Sequence, residues 1–148
     1  MPTITHSYTA NCPPAMLWAV LSDLSSVART NPTVSTVQIV GAQTSGIGAV
    51  RKCALRPKGS VTERVTTYDE GRAVGLEVIE SDWPISAMTW TTVIEPRPGG
   101  ARLSQTLAYT MKFGPAGWLL NLLVLRRAIT KNVGMALQGV IAEAEGRS

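Results

Sequence analysis

Histidine is almost missing from this 148-residue sequence. His6 is the single one, so a site built on imidazole proton transfer or histidine metal ligands has little to draw on. His6 is expected to be a surface or edge residue rather than a proton shuttle. Cysteine is scarce too. Cys12 and Cys53 have no C-x-x-C spacing and no histidine neighbour, which argues against a zinc site or a disulfide framework and for reduced, buried thiols. Neither a metal nor a cofactor is expected.

Charge is sparse at 16% of residues against 45% hydrophobic, a balance that excludes disorder. The net charge is +4 and the pI about 9.4, yet no dense basic run forms, so nucleic acid is not an expected partner. Long apolar runs are missing. The longest, Trp118 to Leu125, is interrupted by Asn121 and stopped by Arg126-Arg127, too short for a hydrocarbon core of about 30 Å. Stable membrane insertion is therefore not expected. The start, MPTITHSYTA, lacks the basic and apolar regions of a secretory leader, and a cytoplasmic location follows as the expectation. Gly46-Ile47-Gly48 runs into a strand, not a helix N-terminus, so a phosphate cradle is absent. No G-x-S-x-G elbow marks a hydrolase.

What is present has the length of one domain, 1–148. Thr3 to Ala10 alternates in period two and predicts a strand. Pro13-Pro14 opens a short helix with Leu17, Val20, Leu21 and Leu24 on one face and Asn11 or Cys12 near its cap. Asp23 is expected to cap a second helical turn, which Asn31-Pro32 ends. Six β-rich runs follow: Val34–Val40, Ala49–Leu55, Val61–Tyr68, Ala73–Ile79, Ala87–Glu95 and Ala101–Thr110. Their short Gly-, Pro- and Asp-rich separators favour an antiparallel meander. From Ala116 to Glu145 an apolar stripe (Leu119, Leu122, Leu125 or Arg126, Ile129, Val133, Ala136, Val140, Ala144) predicts one long helix starting at Gly114-Pro115 and ending at Gly146. The fold class is α+β, with a seven-stranded antiparallel sheet covered by the last helix and two short helices between the first and second strands.

Strand alternation assigns an inner face. A turn centred on Lys58 would set Leu55 opposite Val61, Cys53 opposite Glu63 and Arg51 opposite Val65. The next hairpin sets Glu63 beside Val78 and Val65 beside Leu76. A Pro98-Gly99 turn pairs Thr92 with Gln105 and Trp90 with Leu107, bringing Met88, Ile94, Leu103, Tyr109 and Met111 inward. That face is apolar except for Arg51, Glu63, Thr92 and Gln105, the composition of a ligand pocket. A carboxylate there costs several kcal/mol unless paired or hydrogen-bonded. Glu63 therefore needs a partner, a ligand, a bound water or an altered protonation state, and Arg51, diagonally across the hairpin, is the nearest candidate partner.

The expected ligand-binding set from the sheet is Arg51, Cys53, Glu63, Val65, Leu76 and Val78, then Trp90, Thr92, Gln105, Leu107 and Tyr109. The last helix adds Trp118, Ile129 and Val133. Trp18 and Trp83 are expected in the core or at the cavity mouth, and Trp118, next to a Gly-Pro-Ala-Gly segment, is placed to gate the cavity or pack in the core. Glu63 is the one candidate acid/base. It would act with Tyr109 or Arg51, against the plainer reading of a structural ion pair.

The motifs Ala15-Met16-Leu17-Trp18-Ala19-Val20-Leu21-Ser22-Asp23-Leu24, Gly46-Ile47-Gly48-Ala49-Val50-Arg51, Thr62-Glu63-Arg64-Val65-Thr66 and Gly99-Gly100-Ala101-Arg102-Leu103, in this order, resemble the SRPBCC (START-like) superfamily, its polyketide cyclase/dehydrase-type subgroup in particular. The resemblance implies a helix-grip, birch-pollen-allergen-like fold with a deep hydrophobic cavity. It also implies a lipid- or polyketide-like small molecule as partner, with the motif glutamate, here Glu63, facing the cavity. Relatives divide among carriers, sensors, lyase- or isomerase-like cyclases and dehydratases, and protein-interaction modules of co-chaperone or ribosome-associated type. The fold does not choose among these, and homodimerisation is compatible with any of them.

Overall fold

The computed structural model describes residues 3–56, 58–82, 85–111, 114–120 and 126–147. Strand β1 (Thr3–Ala10) leads into α1 (Pro14–Leu21), a 3-10 turn (Leu24–Ser26) and α2 (Val27–Thr30). Six strands follow: β2 (Val34–Val40), β3 (Val50–Leu55), β4 (Ser60–Asp69), β5 (Ala73–Ser81), β6 (Ile85–Arg97) and β7 (Gly100–Met111). Helices α3 (Gly114–Leu120) and α4 (Arg126–Arg147) complete the order. The sheet runs β1-β7-β6-β5-β4-β3-β2, and every neighbouring pair is antiparallel. The expected meander is present, with β1 added at the β7 edge.

Local chemistry explains the short helices. Pro13 stands at the α1 N-cap with extended backbone and makes no side-chain cap bond. Asn11 and Cys12 lie just before the cap, and the Asn11 N–H donates to Glu145 of α4 at 2.9 Å. Asp23 does cap the next turn, its carboxylate accepting from the Ser25 N–H at 3.1 Å. Asn31 ends α2 with extended backbone, as a residue before proline must.

Inner-face parity holds throughout, while one register differs from expectation. Glu63 pairs with Val78, Val65 with Leu76, Thr92 with Gln105 and Trp90 with Leu107. In β3–β4, however, Arg51 stands directly opposite Glu63 and Cys53 opposite Val61. The turn closes one residue earlier than a Lys58-centred one, with the Leu55 N–H on the Gly59 carbonyl at 2.9 Å and Gly59 at φ 99°. Moving the centre by one residue moves the pairing by two, so every side chain keeps its face. Met88, Ile94, Leu103 and Tyr109 are buried as the alternation requires; the Met111 side chain lies outside the described residues.

The last helix agrees along α4 at Ile129, Val133, Val140 and Ala144, which are buried; the expected Ala136 is half-buried, and its neighbour Leu137, outside the expected stripe, is buried instead. The helix continues one residue past Gly146, to Arg147. Leu119 departs from the expected stripe and is 50% exposed. It belongs to α3, which packs on β7, and ten positions from Ile129 puts it about 80° away around a straight helix. Leu122 and Leu125 lie outside the described residues, and Arg126 is exposed. The main core joins α1 (Leu17, Val20), β7 (Leu103, Tyr109) and α4 (Val133, Leu137).

Gly139 marks a close approach of α4 to α2, since a Cβ there would run into the Thr30 carbonyl oxygen. Substituting Gly139→Ala is expected to cost about 1–3 kcal/mol through forced displacement of α4. Thermal unfolding should register this as a Tm lower by roughly 2–12 °C; an unchanged Tm would show that α4 is free to lift from α2.

Candidate functional site

Between the concave sheet and α4 lies a cavity of about 150 Å³. A void of this order with apolar walls is large enough for a benzene-sized ring. The walls come from Leu76 and Val78 of β5, Met88 and Leu107 of β6 and β7, and Ile129, Val133 and Leu137 of α4. Alternation on the strands and the four-residue step on α4 place these side chains there.

A polar cluster interrupts the apolar wall. Arg51 and Glu63 are 5% and 6% exposed, with Arg51 Nε 3.5 Å from Glu63 Oε1. The Trp90 Nε1–H donates to Glu63 Oε2 at 2.7 Å, and the Cys53 thiol donates to Glu63 Oε1 at 3.7 Å. Arg51 donates from Nη1 to the Leu24 carbonyl at 3.1 Å, and its guanidinium carbon lies 5.5 Å from the centre of the Trp90 ring, in cation–π range. Ion pairing at 3.5 Å does not complete the hydrogen bonding: Arg51 Nε is buried and has no aligned acceptor. Each carboxylate oxygen thus accepts from a protein donor, while the Arg51 Nε–H has no aligned acceptor among the described residues.

Arg51, Glu63, Leu76, Val78, Trp90, Thr92, Gln105, Leu107, Ile129 and Val133, all expected from the sequence, line this one cavity. Cys53, Val65 and Tyr109 are buried but do not line it: Cys53 packs with Val34 and Leu55, Val65 with Leu24 and Leu76, and Tyr109 within the main core. The Trp118 side chain and Trp83 lie outside the described residues. Trp18 packs edge-on against Tyr68, ring centres 5.2 Å apart. His6, on the edge strand β1, stacks on Tyr8 at 6.3 Å.

Missed by the sequence reading is the contribution of the segment between β1 and β2. Leu21, Ser26, Val27, Thr30, Asn31 and Thr33 line the cavity, as does Asn132 of α4. Asn132 donates to Thr33 Oγ1, Thr33 donates to Asn31 Oδ1 at 2.8 Å, and Asn31 donates to Asn132 Oδ1 at 3.4 Å. This triangle ties α4 to the start of β2. Periodicity carries no signal for it, because polar residues a hundred positions apart meet only through tertiary packing.

Burial pushes the Cys53 thiol up to about 12, with Arg51 opposing and the Glu63 carboxylate reinforcing. An unfolded thiol ionises near 9.0, so the folded state keeps a proton that the unfolded state has lost, and stability falls between about pH 9 and 12. Urea unfolding of Cys53→Ala should show a shallower decline across that window than the unmodified protein; equal slopes would remove Cys53 as a cause.

The ion pair supplies a second test. Glu63→Gln leaves Arg51 buried without a counter-charge and is expected to cost about 3–5 kcal/mol, whereas Arg51→Met with Glu63→Leu should recover most of that loss. Denaturant midpoints for the two variants distinguish a buried pair from a solvated one, which would make both changes nearly neutral.

The geometry finds its counterpart among known proteins. The fold matches a protein of Thermus thermophilus with a TM-score of 0.83 and 19% identity, covering 99% of each chain. It matches XoxI from Bacillus cereus at 0.77 and 14% identity, covering 96% of this chain and 94% of that one. Ara h 8.0201 superposes at 0.73 with 18% identity, over 99% of this chain and 96% of the other. No curated protein matches in sequence. These likenesses establish the helix-grip fold. The family model described as "Polyketide cyclase / dehydrase and lipid transport" matches residues 1–145, and the chain belongs to that family.

Proposed function

We propose that this protein binds a small hydrophobic or aromatic molecule, lipid- or polyketide-like, between the sheet and α4. The observation that carries the reading is an apolar cavity lined by Arg51, whose buried Nε has no hydrogen-bond partner among the described residues. A buried N–H left unpaired costs about 1–3 kcal/mol, and a guest oxygen placed beside it recovers that cost. Apolar walls with a few placed polar groups are the usual composition of such sites. Thr92 and Gln105, buried and opposite each other on β6 and β7, add polar groups on the same wall.

Binding is favoured over turnover by the state of Glu63. A general base is recognised by its hydrogen bond to the reactant's proton, and the partners at Glu63 are Trp90, Cys53 and Arg51 of the protein itself. Tyr109, its expected helper, is not on the cavity wall.

Native mass spectrometry of the purified protein and thermal shifts with lipids and aromatic polyketides test the reading. A guest at a hundred times its Kd adds about 2.7 kcal/mol, a Tm rise of roughly 5–11 °C for a chain of this size. Val133→Trp, which fills the cavity from α4, should abolish the shift. No retained molecule and no shift with any compound would overturn it.

A further inference from the structure

The polar side chains on the cavity wall divide into two kinds. Most have a protein partner: Ser26 donates to the Val20 carbonyl at 2.7 Å, Arg51 and Glu63 form their ion pair, and Asn31, Thr33 and Asn132 close their triangle. Thr92 of β6 and Gln105 of β7 differ. Both line the cavity, at 1% and 8% exposure, yet among the described residues neither the Thr92 hydroxyl nor the Gln105 amide makes a hydrogen bond.

The two stand directly opposite each other. Facing residues of an antiparallel pair have Cβ atoms about 4.5–5.5 Å apart, so a single guest group can reach both. Along β5, Val78 faces Glu63, Leu76 faces Trp90 and Val74 faces Thr92, which sets the pair two rows away from the Arg51–Glu63 cluster, beyond Trp90. The surroundings are apolar: Val74, Leu76 and Leu107 line the same space. His6 faces Gln105 from β1, but it stacks on Tyr8 and is not on the cavity wall. Folding gives no reason for the pair. Valine has the shape of threonine, and a buried hydroxyl or amide without a partner destabilises the folded state.

The chemistry of the pair selects the guest. A hydroxyl offers one proton and two lone pairs, a primary amide two protons and a carbonyl oxygen, so together they complement a group that both donates and accepts. Charge narrows the choice. Arg51 and Glu63 are the only charged side chains among the described residues lining the cavity, and they compensate each other at 3.5 Å. An anion brought inside would lose its water with no counter-charge left for it. We propose that Thr92 and Gln105 form the subsite for the hydroxyl group of a neutral guest, an alcohol or phenol whose apolar body lies against Val74, Leu76 and Leu107, and that carboxylates of the same skeleton are excluded. This rests on the ligand-binding reading above and specifies the polar end of the guest.

Titration calorimetry with p-xylene, p-cresol and p-toluate, which carry a methyl, a hydroxyl and a carboxylate on the same ring, tests it. The unmodified protein should bind p-xylene and p-cresol and leave p-toluate unbound at concentrations that saturate with p-cresol. Thr92→Val, which keeps the side-chain shape, and Gln105→Met, which keeps its length, should each weaken p-cresol about two- to tenfold, the worth of one neutral hydrogen bond, with p-xylene unchanged or tighter. The Tm of empty Thr92→Val should stay the same or rise, since no protein bond is lost; a fall would mark the hydroxyl as structural and overturn the subsite. Affinity for p-cresol unchanged in either variant, equal weakening of p-cresol and p-xylene, or p-toluate held as tightly as p-cresol would also overturn it, while retained binding of p-xylene to the unmodified protein leaves the cavity reading standing. An unmodified protein that binds neither p-xylene nor p-cresol would overturn both.

Discussion

Helix α4 is kept off the sheet by what it rests on. Its C-terminal half is seated on the α1–α2 segment, with Gly139 pressed against the Thr30 carbonyl, Glu143 accepting from Arg29 Nε at 3.1 Å and Glu145 accepting from the Asn11 N–H. Once that end is set, a rigid helix cannot descend onto the curved β-layer along the rest of its length. Side chains such as Val133 and Leu137 reach down without meeting the strands everywhere, and the shortfall is the cavity. The two short helices, which look like a mere connection, therefore act as the spacer on which the interior volume depends.

Within that volume the Arg51–Glu63 pair is an expensive element. Desolvation of two charges is offset by the Trp90 and Cys53 donors, the Leu24 carbonyl and the Trp90 ring. A hydrophobic pair at these positions would serve stability at least as well. Retention of the pair at the cavity wall fits recognition better than it fits folding. Its cross-strand placement also gives β3 and β4 one charged contact on an otherwise apolar face.

Much of this was readable from residue order, and the reasons differ by level. Parity survives small errors, since a hairpin centre misplaced by one residue shifts pairing by two and returns each side chain to its face. This is why the inner-face set stood even though Arg51 faces Glu63 directly and not diagonally. Distances between facing residues do not survive such an error. The Asp23 cap was visible because capping is local, whereas the fate of Asn11 depended on Glu145, distant in sequence. For the same reason the Asn31, Thr33 and Asn132 triangle carried no pattern. Leu119 failed because an apolar stripe fixes the phase of one straight helix and says nothing about where a separate segment comes to rest.

The short β5–β6 ladder also divides the sheet mechanically. Strands β2 to β5 form one lobe and β6, β7 and β1 the other, and five facing residue pairs, Ala73–Val93 through Glu77–Thr89, are the only β5–β6 pairing among the described residues. Gly75 sits at the middle of that seam, with no side chain to lock it and with Thr67 and Thr91 crowding the space where one would go. Among the described residues the β3–β4 ladder is as short, also five pairs, whereas the β6–β7 ladder is far longer. Sub-global opening follows short ladders, which makes the Gly75 seam and the β3–β4 seam, not the long β6–β7 hairpin, the lines along which the sheet would part first.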